Sequence, residues 1–493
     1  MKRSLDKRSR WGRSIFGKDA VPDAMNRRMV LPILLATVGL MSCGSNNAAR
    51  NNGGSSSGTP TPSAATLGEW AWVNGSDTTG QAGTYGVQGT AAPGNVPGAR
   101  NSSVGWTDAS GDFWLFGGIG HDSTGAVLPL NDLWKFSRGQ WTWMGGSNIG
   151  DQPGTYGTQG VAAPSNIPGG RWNALGWIDA TGSLWLFGGF GRAVGTPFAA
   201  DLSDLWRYSA GQWTWMSGPN VINQVGSYGT QGLAVPGNFP GARAGAIGWA
   251  DSAGNLWLFG GAGFDSNGTN GSLNDLWKYN SGEWTWVGGS NMADQPGTYG
   301  AQGVAAPTNM PAARSFAAAW SDASGDFWLF GGSALDSAGA ERDLNDLWRY
   351  SSGQWTWVGG SNVTGQPGVY GTEGVPSVGN VPGARDSAVA WLDSAGNLWL
   401  FGGETLGSDD FSLNDLWSYA AGQWTWMGGA DTVNELATYG TLGIAAAGNM
   451  PGARDSAVGW CDASGSLWLF SGYGLDSGHV TQGNLNDLWE FQP

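Results

Sequence analysis

A five-residue segment, Leu130 to Trp134, returns along the chain in close copies and limits what the chain can fold into. The copies begin at Leu202, Leu273, Leu344, Leu413 and Leu485. Successive copies lie 72, 71, 71, 69 and 72 residues apart, and such a fixed period is typical of repeat architectures whose units pack on their neighbours. The sequence therefore predicts six units that occupy most of the 493 residues.

Every unit contains four short strand-like runs, which the first unit illustrates. They are a small-residue run at 101–106, an apolar run at 113–116, the run 130–136 and an alternating Trp-Thr-Trp at 141–143. Small residues suit inner strands that converge on an axis, an unbroken apolar run suits burial on both faces, and alternation suits an outer strand. The predicted fold class is all-β: a six-bladed β-propeller of four-stranded antiparallel blades.

The two ends of the repeat region are incomplete in complementary ways. The last unit stops at Phe491 without a Trp-Thr-Trp strand, whereas Trp70-Ala71-Trp72 precedes the first unit and has no unit of its own. We predict that this N-terminal strand completes the last blade, because such closure leaves no unpaired inner ring. The propeller domain is accordingly expected over residues 67–493.

Three motifs of the unit resemble kelch repeats. They are Leu-Phe-Gly-Gly at 115–118, Asn-Asp-Leu-Trp at 131–134 and Trp-Thr-Trp at 141–143, and the match runs from Trp70 to Trp489. Kelch-like propellers include a copper oxidase of galactose and a sialic acid mutarotase. The copper site of that oxidase needs two His and a Cys-linked Tyr, which this chain does not visibly supply. No catalytic residue of these enzymes can be assigned to a position in this chain, and we predict that the protein has no cofactor.

The N-terminal segment has the layout of a signal peptide. A basic stretch at 1–28 precedes an apolar run at 29–41, and Leu40-Met41-Ser42-Cys43 resembles the lipobox of bacterial lipoproteins. The resemblance implies that Cys43 is lipid-modified and that residues 1–43 are signal peptide and lipobox; the alternative is cleavage elsewhere with Cys43 incidental. Residues 44–66 are rich in Ser, Gly, Asn and Pro and are expected to be a disordered tether. The lipobox resemblance therefore implies a lipid-anchored protein of the bacterial cell envelope, at the outer membrane or cell surface.

Charge and residue usage exclude several classes of function. The net charge of −15 argues against nucleic acid and would repel an anionic membrane surface, so membrane contact is expected only through the lipid anchor. Only His121 and His479 are present, which leaves little material for a His-based metal centre or a Ser-His-Asp site. We predict neither a metal site nor catalytic residues.

Candidate ligand-binding residues lie on one face of the predicted propeller. The long inserts between the fourth strand and the next unit emerge there, together with the variable loops between second and third strands. Each first strand also begins there with an arginine: Arg100, Arg171, Arg243, Arg314, Arg385 and Arg454. These could form a cationic ring for a carboxylate or phosphate; alternatively, each pairs with an Asp such as Asp132 and fixes the insert. Apart from such pairing, the Asp of each Asn-Asp or Ser-Asp pair, and that of each Asp-x-x-Gly turn, is expected to be a turn residue that bonds its own backbone.

Tryptophan is the other candidate. Five framework positions in six units account for 30 of the 32 Trp, and these are most simply packing residues. Trp172 has no counterpart in the other units and is a candidate ligand contact.

The predicted function is a non-catalytic, monomeric envelope module that recognises a protein or glycan through the insert-bearing face. The alternatives are a sugar-modifying enzyme with acid and base among loop residues such as Glu404 and Asp409, and a structural surface spacer.

Overall fold

The computed structural model describes residues 68–335, 341–405, 411–478 and 482–493. The predicted signal peptide, Cys43 and the tether at 44–66 lie outside these ranges. The described residues form strands, turns and loops and contain no helix; over the same ranges, nothing helical is therefore long and apolar enough to cross a membrane. The all-β expectation is confirmed for this part of the chain.

Six antiparallel sheets, numbered here in the order of their first strands, carry the fold, and each has four main strands. Sheets 1 to 3 comprise Val104–Thr107, Phe113–Phe116, Leu133–Ser137 and Gln140–Gly145; Leu175–Ile178, Leu184–Gly191, Ala200–Ser209 and Gln212–Ser217; and Ile247–Ala250, Leu256–Phe264, Asn270–Asn280 and Glu283–Gly288. Sheets 4 to 6 comprise Ala318–Ser321, Phe327–Phe330, Leu347–Ser351 and Gln354–Gly359; Val389–Leu392, Leu398–Phe401, Leu416–Ala420 and Gln423–Gly428; and Val458–Cys461, Leu467–Phe470, Leu488–Phe491 and Trp70–Asn74.

Short strands extend each sheet at the end where its first strand begins. The paired Gly117 and Gly118 have φ angles of 64° and 95°, which let the second strand of sheet 1 bend before it continues. In sheets 2 and 3 the second and third strands run on without a break. The separate extensions are Arg100–Asn101, Ile119–His121 and Val127–Pro129; Arg171–Trp172; Arg243–Ala244; Arg314–Ser315, Ser333–Leu335 and Glu341–Asp343; Glu404–Thr405 and Phe411–Ser412; and Arg454–Asp455, Tyr473–Gly474 and Gly483–Asn484.

The first strands of the six sheets contact one another in cyclic order, and the strand of sheet 6 contacts that of sheet 1. Small residues are required at these contacts: a Cβ at Gly105 would overlap the side chains of Val458 and Trp460 in sheet 6. The sequence expectation that small residues mark converging inner strands is therefore confirmed. The arrangement is consistent with a β-propeller.

A ring of backbone hydrogen bonds joins the sheets where the first strands begin. In each sheet one residue near the start of the first strand has a positive φ, and its N–H donates to the carbonyl of its counterpart in the preceding sheet over 2.9 to 3.0 Å. The residues of this central ring are Ser102, Asn173, Gly245, Phe316, Ser387 and Ser456. The bond from Ser102 to Ser456 joins the first sheet to the last, so the ring of bonds is complete.

The N-terminal strand Trp70–Asn74 pairs with Leu488–Phe491 near the C-terminus. Trp70 is 2 % exposed and packs edge-on against Trp489 and Phe401. It occupies the position that the Trp-Thr-Trp strand has in the other sheets. Two distant parts of the sequence thus contribute to one sheet.

The long inserts cover the outer edges of the sheets. The amide of Gly89 donates to the carbonyl of Trp143 on a fourth strand, and Gly443 bonds in the same way to Trp72 on the N-terminal strand. The equivalent donors in the other inserts are Gly160, Gly232, Gly303 and Gly374. An exposed edge strand invites pairing with other chains, so the middle of each insert protects the sheet. This role was not expected from the sequence, which assigned the inserts to recognition alone.

The framework tryptophans are packing residues, as expected. The third-strand ring, such as Trp134, is fully buried, and the first ring of each Trp-Thr-Trp, such as Trp141, is nearly so. The second-strand ring is half-buried in three units, and in four units a cation lies over this ring, as Lys135 lies over Trp114 at 5.1 Å from the ring centroid. Contacts between aromatic rings connect neighbouring sheets throughout the fold.

Candidate functional site

The six arginines that lie shortly before the first strands are buried ion-pair partners. Arg243 donates from Nη1 to Oδ1 of Asp275 at 2.6 Å and from Nη2 to Oδ2 at 2.8 Å, and neither side chain is exposed. Its Nε and Nη1 also donate to the carbonyls of Gly241 and Gly260. The other pairs are Arg100–Asp132, Arg171–Asp204, Arg314–Asp346, Arg385–Asp415 and Arg454–Asp487.

A tyrosine from the insert and a tryptophan from the third strand complete each pair. In sheet 3 the hydroxyl of Tyr228 and Nε1 of Trp277 each donate to Oδ2 of Asp275 over 2.7 Å. Burial, followed by the charge of Asp275, raises the pKa of Tyr228 far above its usual range, so its hydroxyl stays a donor. The Asp of each Asn-Asp or Ser-Asp pair was expected to be a turn residue that bonds its own backbone; that expectation is wrong, because these side chains accept from Arg, Tyr and Trp.

This geometry agrees with the second of the two alternatives for the arginines, in which each one pairs with an aspartate. The residues concerned are Arg100, Arg171, Arg243, Arg314, Arg385 and Arg454. Each guanidinium is buried beside an aspartate, and the repeated Arg–Asp–Tyr unit ties the insert to the sheet. Ligand binding by these arginines stays a prediction, and their full pairing disfavours it. The sequence held a signal for the unit, since Arg, Tyr and Asp each occur once per repeat at matching positions.

The residues that directly follow the arginines differ among the sheets, except that sheets 5 and 6 both have an aspartate. They are Asn101, Trp172, Ala244, Ser315, Asp386 and Asp455. We call them, with their cross-strand partners on the second and third strands, the mouth, because they lie directly beside the central ring. Neighbouring sheets meet here: Nδ2 of Asn101 donates to Oδ1 of Asn484 over 2.7 Å, and Oγ of Ser412 donates to Oδ2 of Asp455 over 3.2 Å.

Sheets 4 to 6 make one side of the mouth acidic. Asp386 pairs with Glu404 on the second strand, so their side chains lie next to each other on one sheet face. Asp343 of sheet 4 and Asp455 of sheet 6 flank them, and all four residues are buried. Burial, followed by the charges of Asp343 and Glu404, raises the pKa of Asp386 well above its usual range.

Sheets 2 and 3 make the opposite side apolar. The rings of Trp172 and Phe190 lie 4.8 Å apart between centroids, and Phe190 clusters with Ala200 and Ala244. Asp201, the cross-strand partner of Phe190, is 4 % exposed and accepts a 3.3 Å bond from Asn270. Burial raises the pKa of Asp201 to about 7. The sequence prediction thus singled out Trp172 and Glu404 but missed Asp343, Asp386 and Asp455 on the acidic side.

The variable loops singled out in the sequence make mainly local contacts where the structure describes them. Nδ1 of His121 lies 3.0 Å from the carbonyl of Gly125, and Nε of Arg192 lies 3.2 Å from Asp151. Glu341 accepts a 3.1 Å bond from Ser333. The candidate acid Asp409, with Asp410 and His479, lies outside the described residues. Within the described ranges, no three or more His, Cys, Asp or Glu side chains are arranged to hold a metal ion.

Comparisons with known proteins give fold-level likenesses alone. No family model matches the chain, and no curated protein matches it. The solved structure described as "Structure of YjhT" is similar with a TM-score of 0.45 and 14% identity, over 80% of this chain and 95% of that chain. A structure described as a novel fungal alcohol oxidase of the AA5 family, in complex with copper, has a TM-score of 0.42 and 11% identity, over 83% of this chain and 77% of that chain. Neither likeness is close enough to assign a function.

Proposed function

We propose that residues 67–493 form a six-bladed, kelch-like β-propeller that the N-terminal strand closes. Six four-stranded sheets, the cyclic contacts of their first strands and the ring of backbone hydrogen bonds support the blade count. The pairing of Trp70–Asn74 with Leu488–Phe491 supports the closure. The kelch assignment rests on the repeated sequence motifs, which recur in order in the units.

The proposed function is non-catalytic recognition of a protein or glycan on the insert-bearing face, at the mouth. One observation carries it: the ion pairs and framework rings repeat from sheet to sheet, whereas the mouth has a different residue in almost every sheet. In repeat proteins, positions released from the shared packing role are available for recognition. An aromatic wall opposite polar groups is the usual composition of a binding site for a small ligand.

The proposed location is the bacterial cell envelope. The lipobox resemblance at Cys43 supports a lipid anchor, and the following Ser- and Gly-rich segment would hold the propeller away from the membrane surface. The covered outer edges of the sheets support a monomer, because edge pairing between chains is blocked by the inserts. Incorporation of a labelled fatty acid into the wild-type protein, and its loss in Cys43→Ala, would test the anchor.

The test of recognition is a glycan array together with a protein pull-down from envelope extracts, using the full chain and a Trp172→Ala variant. Loss of the captured ligand in Trp172→Ala, with an unchanged melting temperature, would support recognition at the mouth. A Trp114→Ala variant is a matched control, because Trp114 is a half-buried framework ring away from the mouth. If wild-type protein captures nothing in either screen, the structural spacer becomes the better account.

A sugar-modifying enzyme is the second candidate, and the buried carboxyl cluster favours it. A carboxyl group that stays protonated near neutral pH can act as a general acid, and a neighbouring carboxylate can act as the base. Asp386, whose pKa is raised by burial and by its acidic neighbours, lies beside Glu404 in this way. Turnover of a captured sugar that disappears in Asp386→Asn, while binding of the sugar persists, would establish catalysis; persistent binding without turnover in wild-type protein would exclude it for that sugar.

A further inference from the structure

The acidic side of the mouth has a distinctive charge balance. The six nearest arginines each pair with a third-strand aspartate, so their charge is already engaged. Asp343, Asp386, Glu404 and Asp455 lie together on three neighbouring sheets, and the charges of the other three act on Asp386 to disfavour its ionisation. A positively charged ligand at this place would relieve that repulsion.

Two buried polar atoms at the mouth point to a ligand independently of this charge. Ser315 is 1 % exposed and Asp201 is 4 % exposed, and neither Oγ of Ser315 nor Oδ1 of Asp201 has a hydrogen-bond partner within the described part of the chain. Ser315 directly precedes Phe316 of the central ring, whose carbonyl accepts the bond from Ser387 next to Asp386. Most buried polar atoms in proteins have a partner, so both atoms suit contacts with a bound polar molecule.

The aromatic side adds a second requirement. Trp172 is partly exposed and lies against Phe190. Aromatic faces attract cations and cover apolar surface of a ligand. A ligand that contacts both sides of the mouth therefore combines a cationic group with a ring or chain large enough to reach Trp172. A ring presents a flat face to the ring of Trp172, which a lysine chain does not, and this favours a ring-shaped ligand.

We propose that the mouth binds a protonated amino sugar, with its ammonium group among Asp386, Glu404 and their acidic neighbours and its ring against Trp172. This assignment rests on the proposed recognition function and narrows its ligand class. It also explains why the only Trp outside the framework in the described residues lies across from the carboxyl cluster. The ammonium group would donate to carboxylate oxygens, and ring hydroxyls would reach Ser315 and Asp201.

The test is isothermal titration calorimetry of the full chain in detergent, with glucosamine hydrochloride and N-acetylglucosamine as a matched pair. Acetylation removes the positive charge and keeps the sugar ring. We expect glucosamine to bind with a dissociation constant of about 1 mM or lower and N-acetylglucosamine to bind at least about tenfold more weakly, because a buried charged contact is lost. Free lysine, which has the ammonium group without the ring, should also bind at least about tenfold more weakly.

Variants locate the site. Asp386→Asn is expected to weaken glucosamine binding at least about tenfold, whereas Glu373→Gln, an exposed acid on an insert, should leave it unchanged. Should Asp386→Asn fail to fold, the comparison of the two sugars with wild-type protein still decides. Equal binding of both sugars, or tighter binding of lysine, overturns the amino-sugar assignment and leaves the recognition function in place. A wild-type protein that binds none of the probes, but captures a glycan or a protein in the screens, overturns it as well.

Discussion

Breaking one buried Arg–Asp pair is the most informative perturbation of the scaffold. In Asp275→Leu, Arg243 keeps its bonds to two backbone carbonyls but loses both carboxylate oxygens, at 2.6 and 2.8 Å. Tyr228 and Trp277 lose the acceptor of their 2.7 Å bonds at the same time. The substitution therefore leaves a buried, uncompensated positive charge and two buried donors without acceptors.

Removing one partner of a buried ion pair costs about 3–5 kcal/mol. The side chains of Arg243 and Asp275 are both fully buried, so solvent does not screen the loss. For a propeller of roughly 430 residues the unfolding entropy is about 0.9 kcal/mol per degree, and the expected fall in melting temperature is roughly 3–6 °C. The double variant Arg243→Met with Asp275→Leu removes the charge as well as its partner, so it should lose less stability than Asp275→Leu alone.

Differential scanning calorimetry of the wild type, Asp275→Leu, Arg243→Met and the double variant measures these changes in melting temperature. Asp112→Asn supplies a control, because the pair of Asp112 with Lys135 is 2.6 Å long but its side chains are 20% and 25% exposed, and such pairs contribute about 1 kcal/mol or less. If Asp275→Leu destabilises the protein no more than Asp112→Asn does, the argument that these pairs fix the inserts to the sheets is refuted.

Three further substitutions or deletions test other parts of the account. Burial raises the pKa of Asp201 from 3.8 to about 7, so its contribution to the free energy of unfolding is full below about pH 4 and is lost as the pH rises through 7. Asp201→Asn should therefore reduce the change in the free energy of unfolding over this pH range by roughly 4 kcal/mol. An unchanged pH profile would contradict this. Deletion of 67–73 removes the partner of Leu488–Phe491 and should lower the melting temperature sharply, whereas an unchanged melting curve would argue against closure. Gly245→Ala places a Cβ onto the ring of Phe316 at a φ of 63° and should cost about 1–3 kcal/mol; partial rescue by a second substitution, Phe316→Ala, would identify the overlap as the cause, and full stability of Gly245→Ala would rule it out.

The strand pattern was predictable because the residues of each strand indicate whether its faces are crowded, buried or exposed. The small residues around Gly105 indicated the crowded inner strands, and the alternation of Trp141 and Trp143 indicated an outer strand. Both features are local, so they need no knowledge of how distant units meet. The pairing of the N-terminal strand with the last unit was also inferable, because one run was missing at one end of the repeats and in excess at the other.

The side-chain network was harder to predict because its members are far apart in sequence. Tyr228 and Asp275 are separated by 47 residues and Arg243 and Asp275 by 32, so no short motif joins them. The interpretation of these aspartates as turn residues was wrong, whereas the alternative that each arginine pairs with an aspartate such as Asp132 agrees with the structure. The tyrosine and tryptophan that also donate to the aspartate were not anticipated. Asp108 met the same expectation successfully, because its acceptor role is local and its partners include the amides of Ser110 and Asp112.

The mouth escaped sequence analysis for a related reason. Asp343 and Asp386 belong to different repeats and meet only because neighbouring sheets converge beside the central ring. Trp172 was distinctive in the sequence because it broke the count of framework tryptophans. The acidic residues on the other side of the mouth were not distinctive, because acidic residues are common throughout the chain. Aligning the six units with one another would have revealed the variable position, although not which residues face each other across it.

Capture of a ligand by wild-type protein, Trp172→Ala and Asp386→Asn, measured side by side on a glycan array, tests the central claim most directly. The account predicts that wild-type protein retains amine-bearing glycans and that both variants lose them, while their melting temperatures show that they remain folded. Retention of the same glycans by both folded variants would contradict the placement of recognition at the mouth.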